Sequence, residues 1–282
     1  MHASCSWSSL PSASRDASAV IVAYGSRLLD QQIPVGADVY AQRYKGVSLC
    51  LLLLTRALAG NYVNFGVFAL YGDRALSDCL DVTIKLCLRV PLDEMMRYAK
   101  VCKPYFALME LLMRNHTAML VELDTAVLRH ISVSLQEGLQ SHEIAISSQC
   151  AAALEHLAAF HWRQLNDDRE TLAKAQLTSH VRNDPSLFSS QLGVLLHMVV
   201  FEDCANQWSL SRPLLVLMLS NRAYFDSWKE KLLTQQPHGR QRELAMAFEK
   251  LMLNVHPNLE AKNRDKFTQN LTIFRGDIKN IF

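Results

Sequence analysis

The sequence lacks the short motifs that build catalytic, phosphate-binding and metal sites. It contains no HExxH, no CxxC pair, no GxGxxG or GxxxxGKS/T loop and no GxSxG. The ten histidines are scattered, and His156 and His161 stand five residues apart, so they do not share a helix face. His161 lies on an apolar stripe, which favours a core or boundary residue over a metal ligand. We therefore expect neither a catalytic residue nor a metal or cofactor.

Long hydrophobic runs are absent too. The most apolar stretch, residues 46–55, is bounded by Lys45 and Arg56, whereas about 20 apolar residues are needed to cross a bilayer. Residues 1–14 are Ser-rich without the apolar stretch of a signal peptide. They predict a disordered start or the artefact of a truncated gene model. We expect no membrane partner.

Paired cysteines are likewise missing. The seven cysteines are odd in number, and most lie in apolar helical runs, where a free thiol behaves as a small buried hydrophobe. This pattern favours a reducing compartment, either cytosol or nucleus. Cys204 follows Glu202 and Asp203, whose charges would raise the pKa of a thiol, and it lacks an adjacent positive partner. We expect an unreactive thiol there.

Neither sign of charge dominates the composition. Lys and Arg number 29 and Asp and Glu number 27, which gives a formal net charge of +2 with the signs interspersed. Nucleic-acid binders usually carry a basic stripe. Basic and aromatic residues interleave only over residues 262–267, where Asp265 interrupts them, and a solvated helix face is the better interpretation. We expect no nucleic-acid partner.

Strand-like alternation is essentially absent, and helical periodicity runs through the chain. Leu244, Phe248, Leu251 and Val255, for example, fall on one helix face. Helices of about 12 to 20 residues joined by short turns fit a globular bundle or an α-solenoid, and helices that are apolar on more than one side favour the solenoid. We predict an all-α fold, an α-solenoid of HEAT-like antiparallel helix pairs in an armadillo-like superhelix. Such repeats have about 40 to 47 residues.

The breaks between helices are short and chemically explicit. Asp184-Pro185 predicts an N-cap followed by proline at the first helical position. Three glycines predict helix C-caps: Gly60, Gly66 and Gly72. Only residues 163–183 form a longer polar stretch, which predicts an exposed connection or a partly helical insert. We therefore expect one solenoid segment over residues 15–282.

Residues 201–217, FEDCANQWSLSRPLLVL, set a polar cluster between two apolar helical runs. The cluster comprises Glu202, Asp203, Asn206, Gln207, Trp208 and Arg212. Pro213 suits the first turn of a second helix, so the segment predicts two helices joined by a corner that side chains tie. We expect Glu202, Asp203 and Arg212 to pair across this corner, with Trp208 packed beneath them.

Three polar-aromatic segments together resemble one protein family. They are residues 60–73 (GNYVNFGVFALYGD), 201–217 and 262–275 (KNRDKFTQNLTIFR), in the family's order with plausible spacing. By these segments the chain resembles the C-terminal part of the exportin-7 and Ran-binding protein 17 family, which belongs to the karyopherin-β (importin-β) superfamily of nuclear transport receptors. Weaker similarity runs back to about Arg15, so the resemblance covers nearly the whole chain.

The resemblance implies a stack of HEAT repeats that works by binding proteins rather than by catalysis. Family members bind the small GTPase Ran in its GTP state together with protein cargo, and they pass the nuclear pore complex by touching phenylalanine-glycine repeats of nucleoporins. Nuclear export of proteins, and a location in nucleus, cytoplasm and pore, are therefore implied. The N-terminal repeats that chiefly hold Ran in this superfamily are missing here, so Ran-GTP binding is not implied for this chain alone. A generic α-helical scaffold unconnected with transport stays open as the alternative.

The residues that carry the resemblance are candidate sites whose role is open between knitting turns and contacting a partner. The first segment contributes Asn61, Tyr62, Asn64, Phe65, Tyr71 and Asp73. The second contributes Glu202, Asp203, Asn206, Trp208 and Arg212. The third contributes Asn263, Arg264, Phe267 and Asn270.

Overall fold

Every regular element in the described part of the chain, residues 10–59, 74–279 and 281 of this computed structural model, is a helix. In chain order the α-helices are α1 (Leu10–Asp30), α2 (Lys45–Ala59), α3 (Ala75–Leu88), α4 (Leu92–Arg97), α5 (Ala99–Asn115), α6 (Thr117–Val121), α7 (Thr125–Leu139), α8 (Ile144–Leu165), α9 (Leu172–Asn183), α10 (Ser189–Phe201), α11 (Gln207–Ser220), α12 (Arg222–Thr234), α13 (His238–Leu251) and α14 (Ala261–Lys279). A π-helical turn, Tyr40–Tyr44, precedes α2. The predicted all-α fold class of the solenoid type is confirmed.

The chain divides into two compact units, Met1–Leu111 and Leu112–Phe282. Helix α1 begins at Leu10, inside the stretch 1–14 that was predicted to be disordered, with a proline in its first turn, where the missing N–H costs nothing. Residues 1–9 lie outside the described part of the chain. One continuous solenoid segment over residues 15–282 stays a prediction.

In the first unit, α1 packs against both α2 and α3, which also contact each other. Helices α1 and α3 run parallel, because Cys79 Sγ lies 3.4 Å from Ser18 O and Arg89 Nη1 donates to Leu29 O at 2.8 Å. Gly25 allows their close approach, since a Cβ there would lie 2.5 Å from a side chain of α3. Parallel equivalent helices are what stacked helix pairs produce.

In the second unit, two helix pairs stack on each other. Helices α7 and α8 form one pair, and α10 and α11 form the next, each joined by a short connection. Gln191 Nε2 donates to Ser132 O at 2.8 Å, and Asn206 Nδ2 donates to Ser147 Oγ at 2.9 Å. The first contact joins α10 to α7 and the second joins the start of α11 to the start of α8, so equivalent helices are neighbours.

Contacting residues in these pairs are separated by 59 positions, more than the 40 to 47 expected for a HEAT repeat. The extra length is α9, which lies between the pairs.

Residues 163–183 were predicted to be an exposed connection or a partly helical insert. Within this stretch only residues 166–171 are a connection between helices, and residues 172–183 form α9. Leu177 and His180 of α9 are buried, and His180 contacts Val121 O at 2.7 Å and Thr125 Oγ1 at 2.8 Å. Of the two alternatives, the partly helical insert agrees with α9: most of its residues are exposed or half-buried, and its apolar face packs on α6 and α8.

Helix α11 runs through a proline. Pro213 was predicted in the first turn of a new helix, but α11 begins at Gln207 and contains Pro213 in its interior. An interior proline removes one backbone hydrogen bond and usually kinks a helix. The flanking Leu210 and Leu214 are fully buried, and packing of α11 against α8, α10 and α14 offsets that loss.

The helix predicted to start at Pro185 also begins later than expected. Asp184 Oδ1 accepts hydrogen bonds from the backbone N–H and the hydroxyl of Ser186, so the carboxylate caps the turn that follows it. Helix α10 begins only at Ser189.

Candidate functional site: the corner between α10 and α11

The corner comprises residues 202–206, between the end of α10 at Phe201 and the start of α11 at Gln207. The apolar helix α10 ends where two adjacent acidic residues, Glu202 and Asp203, begin. Glu202 takes an extended conformation with φ −112° and ψ 155°, which turns the chain away from the axis of α10. The α10–α11 corner therefore exposes backbone carbonyl groups that need donors from elsewhere.

Arg275 of α14 supplies those donors. Its Nη2 donates to Glu202 O at 2.7 Å, and its Nη1 donates to Cys204 O at 3.0 Å and lies 3.4 Å from Gln207 Oε1. The Arg275 side chain is only 9% exposed. A guanidinium presents several donors in a fixed fork, so one side chain can satisfy two carbonyls and an amide at once. The α10–α11 corner is thus held by a residue from another helix.

Asp203 lies at the outer side of this arrangement. Lys279 Nζ donates to Asp203 Oδ1 at 3.0 Å, and Arg275 Nη2 is 3.8 Å from the same oxygen. The hydrogen bond and the charge of Lys279 hold the pKa of Asp203 below its usual value. Because the Asp203 side chain is 89% exposed, water screens this pair and its effect on stability is small.

Asn206 joins the α10–α11 corner to the first turn of α8. Its Nδ2 donates to Ser147 Oγ at 2.9 Å and lies 3.4 Å from Ser148 Oγ. Ser209 Oγ also lies 3.3 Å from Ser148 Oγ. These neutral hydrogen bonds fix where α11 starts relative to α8.

The predicted pairing of Glu202, Asp203 and Arg212 is wrong. Arg212 binds Asp265 of α14, with Nη2 to Oδ1 at 3.1 Å. Glu202 Oε1 lies 4.0 Å from His197 Nε2. The reason is that Arg212 lies in the second turn of α11 and is directed towards α14, not back to the corner.

The predicted burial of Trp208 is wrong as well. Its side chain is 66% exposed, although it is the second residue of a well-packed helix. Leu210 and Ser211 occupy the faces of α11 that contact other helices, and Ser211 Oγ lies 2.8 Å from Thr268 Oγ1 of α14. Trp208 lies in the first turn of α11, before the residues from Leu210 to Met218 that pack against other helices, so its ring is left in solvent.

The third motif segment ties the loop before α14 to that helix. Asn263 Oδ1 accepts from His256 N at 2.8 Å, while its Nδ2 donates to His256 O and to Asn258 O, both at 2.7 Å. Asn270 Nδ2 donates to Leu251 O at 3.1 Å and to Leu253 O at 2.9 Å at the end of α13. Both amides are buried, and both satisfy backbone groups that α13 and the loop leave without helical partners.

The remaining two residues of that segment also face inward. Arg264 forms an ion pair with Glu155 of α8 and donates through Nε to Leu259 O at 2.9 Å. Phe267 is fully buried. Thus Asn263, Arg264, Phe267 and Asn270 use their functional groups inside the second unit.

The first motif segment lies outside the described residues. Its members are Asn61, Tyr62, Asn64, Phe65, Tyr71 and Asp73, and the predicted C-caps Gly60, Gly66 and Gly72 lie there too. The roles of these residues stay predictions.

A shallow cavity of about 320 Å³ lies beside the α10–α11 corner. Its polar lining consists of Glu202, Asp203, Arg275 and Lys279, and its apolar lining comes from Val199, Val200, Phe201 and Ile278. Arg275 and Lys279 already bind the corner, so neither is spare for a ligand. Among residues 10–59 and 74–279, no three His, Cys, Asp or Glu side chains group as metal ligands.

The Cys204 thiol is held in its protonated form. Burial is the main cause that raises its pKa, and Glu202 and Asp203 add to the shift, as their place in the sequence predicted. Arg275 lowers the pKa, so the expectation that no positive partner adjoins Cys204 is wrong. The net shift is upward, and the thiol donates to Met198 O at 3.4 Å.

His161 is a core residue, as its apolar stripe predicted. It is 8% exposed and stacks on Phe188 with ring centroids 4.2 Å apart. Burial lowers its pKa from 6.5 to about 4, so it is neutral at physiological pH.

No helix in the described ranges has the length and apolarity to span a bilayer.

The role of Arg275 was not predicted, although it is the last residue of the third motif segment. A usable signal exists: Arg275 stands four residues after Leu271 and three before Ile278, on the buried face of α14. A charged residue on an apolar helix face needs buried partners. Helical spacing alone does not identify those partners, which lie 71 and 73 positions away.

Comparison with known proteins identifies relatives along almost the entire chain, although no protein-family model matches. The chain is 36% identical over 270 residues to exportin-7-B of Xenopus laevis and 36% identical over 272 residues to Ran-binding protein 17 of Homo sapiens. Exportin-7 of Dictyostelium discoideum is 33% identical over 265 residues. Each alignment covers 94% of this chain.

The chain spans about a quarter of the length of these relatives: 25% of the Xenopus and human proteins and 26% of the Dictyostelium protein. By name, these homologues are exportins and a Ran-binding protein. The resemblance inferred from the three motif segments is confirmed, and the chain is homologous to the C-terminal portion of exportin-7 family members.

Proposed function

We propose that this chain, homologous to the C-terminal portion of the exportin-7 family, serves as part of a nuclear transport receptor and acts by binding proteins. The carrying observation is the identity of 33 to 36% along 94% of the chain. Helix pairs stacked side by side suit this role, since such folds present extended surfaces to macromolecules and need no catalytic pocket. Under this proposal the partners are protein cargo, Ran in its GTP state and phenylalanine-glycine repeats of nucleoporins. The protein then moves between nucleus and cytoplasm through the nuclear pore complex.

The geometry of the α10–α11 corner supports a non-enzymatic role. Its charged groups are engaged with each other or with backbone carbonyls, and its thiol is protonated. A catalytic site needs groups whose pKa values are shifted towards reactivity. The contacts of Arg275, Asn263 and Asn270 instead support a structural role for most of the motif residues in the described part of the chain, which keeps the helix pairs in register.

A chimeric receptor tests the proposal. The matched quarter of Xenopus exportin-7-B is replaced by this chain, and Ran-dependent export of a cargo of that receptor is measured in permeabilised cells. We expect the chimera to export cargo only with Ran loaded with GTP, and a receptor lacking that quarter to lose export. Export no better than that of the truncated receptor would contradict the proposal.

A matched control addresses the alternative of a generic scaffold. The same quarter is replaced by an unrelated α-solenoid segment of similar length. Equal export by both chimeras would mean that any stack of helices suffices, and the chain would then have no transport function of its own. A separate pull-down of the chain on Ran loaded with GTP or GDP measures direct contact, and equal retention would remove Ran from its partners.

A further inference from the structure

Helix α2 presents an apolar stripe to solvent. The exposed side chains are Leu49, Leu52 and Leu53, at 45%, 40% and 43% of their full exposure. No other described helix exposes more than two large apolar side chains. The opposite face of α2, with Val47, Cys50, Leu51 and Leu54, is buried, so the exposed leucines are additional to those that the first unit needs for its core.

A cation stands at each end of these leucines. Positions 45, 49, 52 and 56 are spaced so that they share one face of α2. Lys45 and Arg56 lie about 16 Å apart along the helix axis at a rise of roughly 1.5 Å per residue. In the part of the chain that the structure describes, neither of them forms an ion pair or a side-chain hydrogen bond. We call Lys45, Leu49, Leu52, Leu53 and Arg56 the α2 stripe.

We propose that the α2 stripe docks an acidic amphipathic α-helix of a partner protein. This inference names the class of partner and rests on the proposed protein-binding function. The partner helix carries large aliphatic residues in consecutive turns of one face, with an Asp or Glu beyond them at each end. Its apolar face covers the three leucines, and its carboxylates reach Lys45 and Arg56.

Charge and geometry together select this occupant. An unbroken apolar patch with positive ends attracts a segment that is apolar in the middle and negative at its ends. Leucines spaced three and four residues apart form a ridge that fits between the side-chain rows of another helix. A basic helix would meet like charges at both ends, and a nucleic acid would leave the leucines uncovered.

A designed probe tests the inference with the full 282-residue chain. The probe is an alanine-based, fluorescein-labelled peptide of about 15 residues, long enough for roughly four helical turns. It repeats the spacing of the α2 stripe, with leucines at the leucine positions and glutamates in place of Lys45 and Arg56. Matched peptides carry glutamine or lysine in place of the glutamates, and a scrambled peptide keeps the composition. Binding is measured by fluorescence anisotropy at low and high salt.

We expect saturable binding of the glutamate peptide, weaker binding of the glutamine peptide and no binding of the lysine or scrambled peptide. The variants Leu52→Gln and Leu53→Gln each raise Kd at least tenfold. The double variant Lys45→Gln with Arg56→Gln raises Kd several-fold and removes most of the salt dependence. The control Val133→Gln, at a residue of α7 that is 40% exposed, leaves Kd unchanged.

Three results of the binding assay would overturn the inference. They are no saturable binding, equal binding of the scrambled peptide, and equal binding by the wild type and the Leu52→Gln variant. Leucine-dependent self-association in sedimentation would also overturn it, since a second copy would then be the occupant. Export by the chimera is a separate readout: export without peptide binding removes only the docking surface, and peptide binding without export removes only the transport function.

Discussion

The α10–α11 corner and the α2 stripe use the same kinds of side chain in opposite ways. At the corner, Arg275 points inward and satisfies backbone carbonyls, and the charges of Asp203 and Lys279 pair with each other. At the stripe, Lys45 and Arg56 point outward beside exposed leucines. A distinctive cluster of polar residues can therefore be structural, whereas a plain run of leucines can carry the surface available for recognition.

This contrast predicts different responses to substitution and to pH. Changes at inward-facing groups alter the free energy of unfolding. Changes at the α2 stripe alter binding and leave unfolding nearly unaffected. The expected effects below run from the largest to the smallest.

The largest effect is expected from acidification, through His161. Its pKa falls from 6.5 to about 4 on folding, so the unfolded chain binds more protons than the folded chain between these pH values. Stability is then full above about pH 6.5 and declines towards pH 4, by about 3 kcal/mol at the limit. Urea unfolding between pH 7 and pH 4.5 measures this decline, to which His116 and His130 add with the same sign. In His161→Phe the slope is expected to shrink, and an unchanged slope would contradict the assignment.

The next effect is expected from Arg275→Ala. It leaves the carbonyls of Glu202 and Cys204 without their donors in a buried place, which costs about 2 kcal/mol. Urea unfolding at pH 7 is the measurement. The matched control is Arg169→Ala, an exposed arginine whose partner is Asp167, and its effect should be within about 0.5 kcal/mol. Equal losses in both variants would show that Arg275 has no special role at the corner.

A small effect is expected from Trp208→Ala. Because the indole is 66% exposed, its removal should lower the free energy of unfolding by less than about 1 kcal/mol, far below the 3 to 5 kcal/mol typical of a buried aromatic residue. Thermal unfolding followed by circular dichroism measures it. A loss as large as that of Arg275→Ala would mean that Trp208 is packed in solution.

The smallest effect on stability is expected from Leu52→Gln. A substitution at an exposed helix position changes the free energy of unfolding by no more than about 0.5 kcal/mol. The same variant loses at least tenfold in affinity for the acidic helical probe, so stability and binding separate. If Leu52→Gln destabilised the chain as much as Arg275→Ala, the α2 stripe would be part of the core and the contrast would fail.

Local patterns predicted the helices well and their contacts poorly. Periodicity over Leu244, Phe248, Leu251 and Val255 predicted α13. The first three are buried, but the helix ends at Leu251 and Val255 lies beyond it, half-buried. The corner after Phe201 was also expected. Its partners were not, because Arg275 reaches it from 71 to 73 positions away, and spacing along one helix carries no information about another helix. The predicted pairing of Arg212 with the corner and the predicted burial of Trp208 were wrong for the same reason.

The sequence by itself determined the all-α fold class, the break after Phe201 and the kinship with exportin-7 family members, since periodicity and identity are properties of the linear chain. Only the tertiary structure decided which groups face inward. Arg275 is buried because α14 docks where α10 ends, while Leu49, Leu52 and Leu53 are exposed because Val47, Leu51 and Leu54 already fill the contact with the first unit's core. Helix α2 has apolar side chains on more faces than its neighbours cover, and the packing of the helices decides which of these side chains are buried.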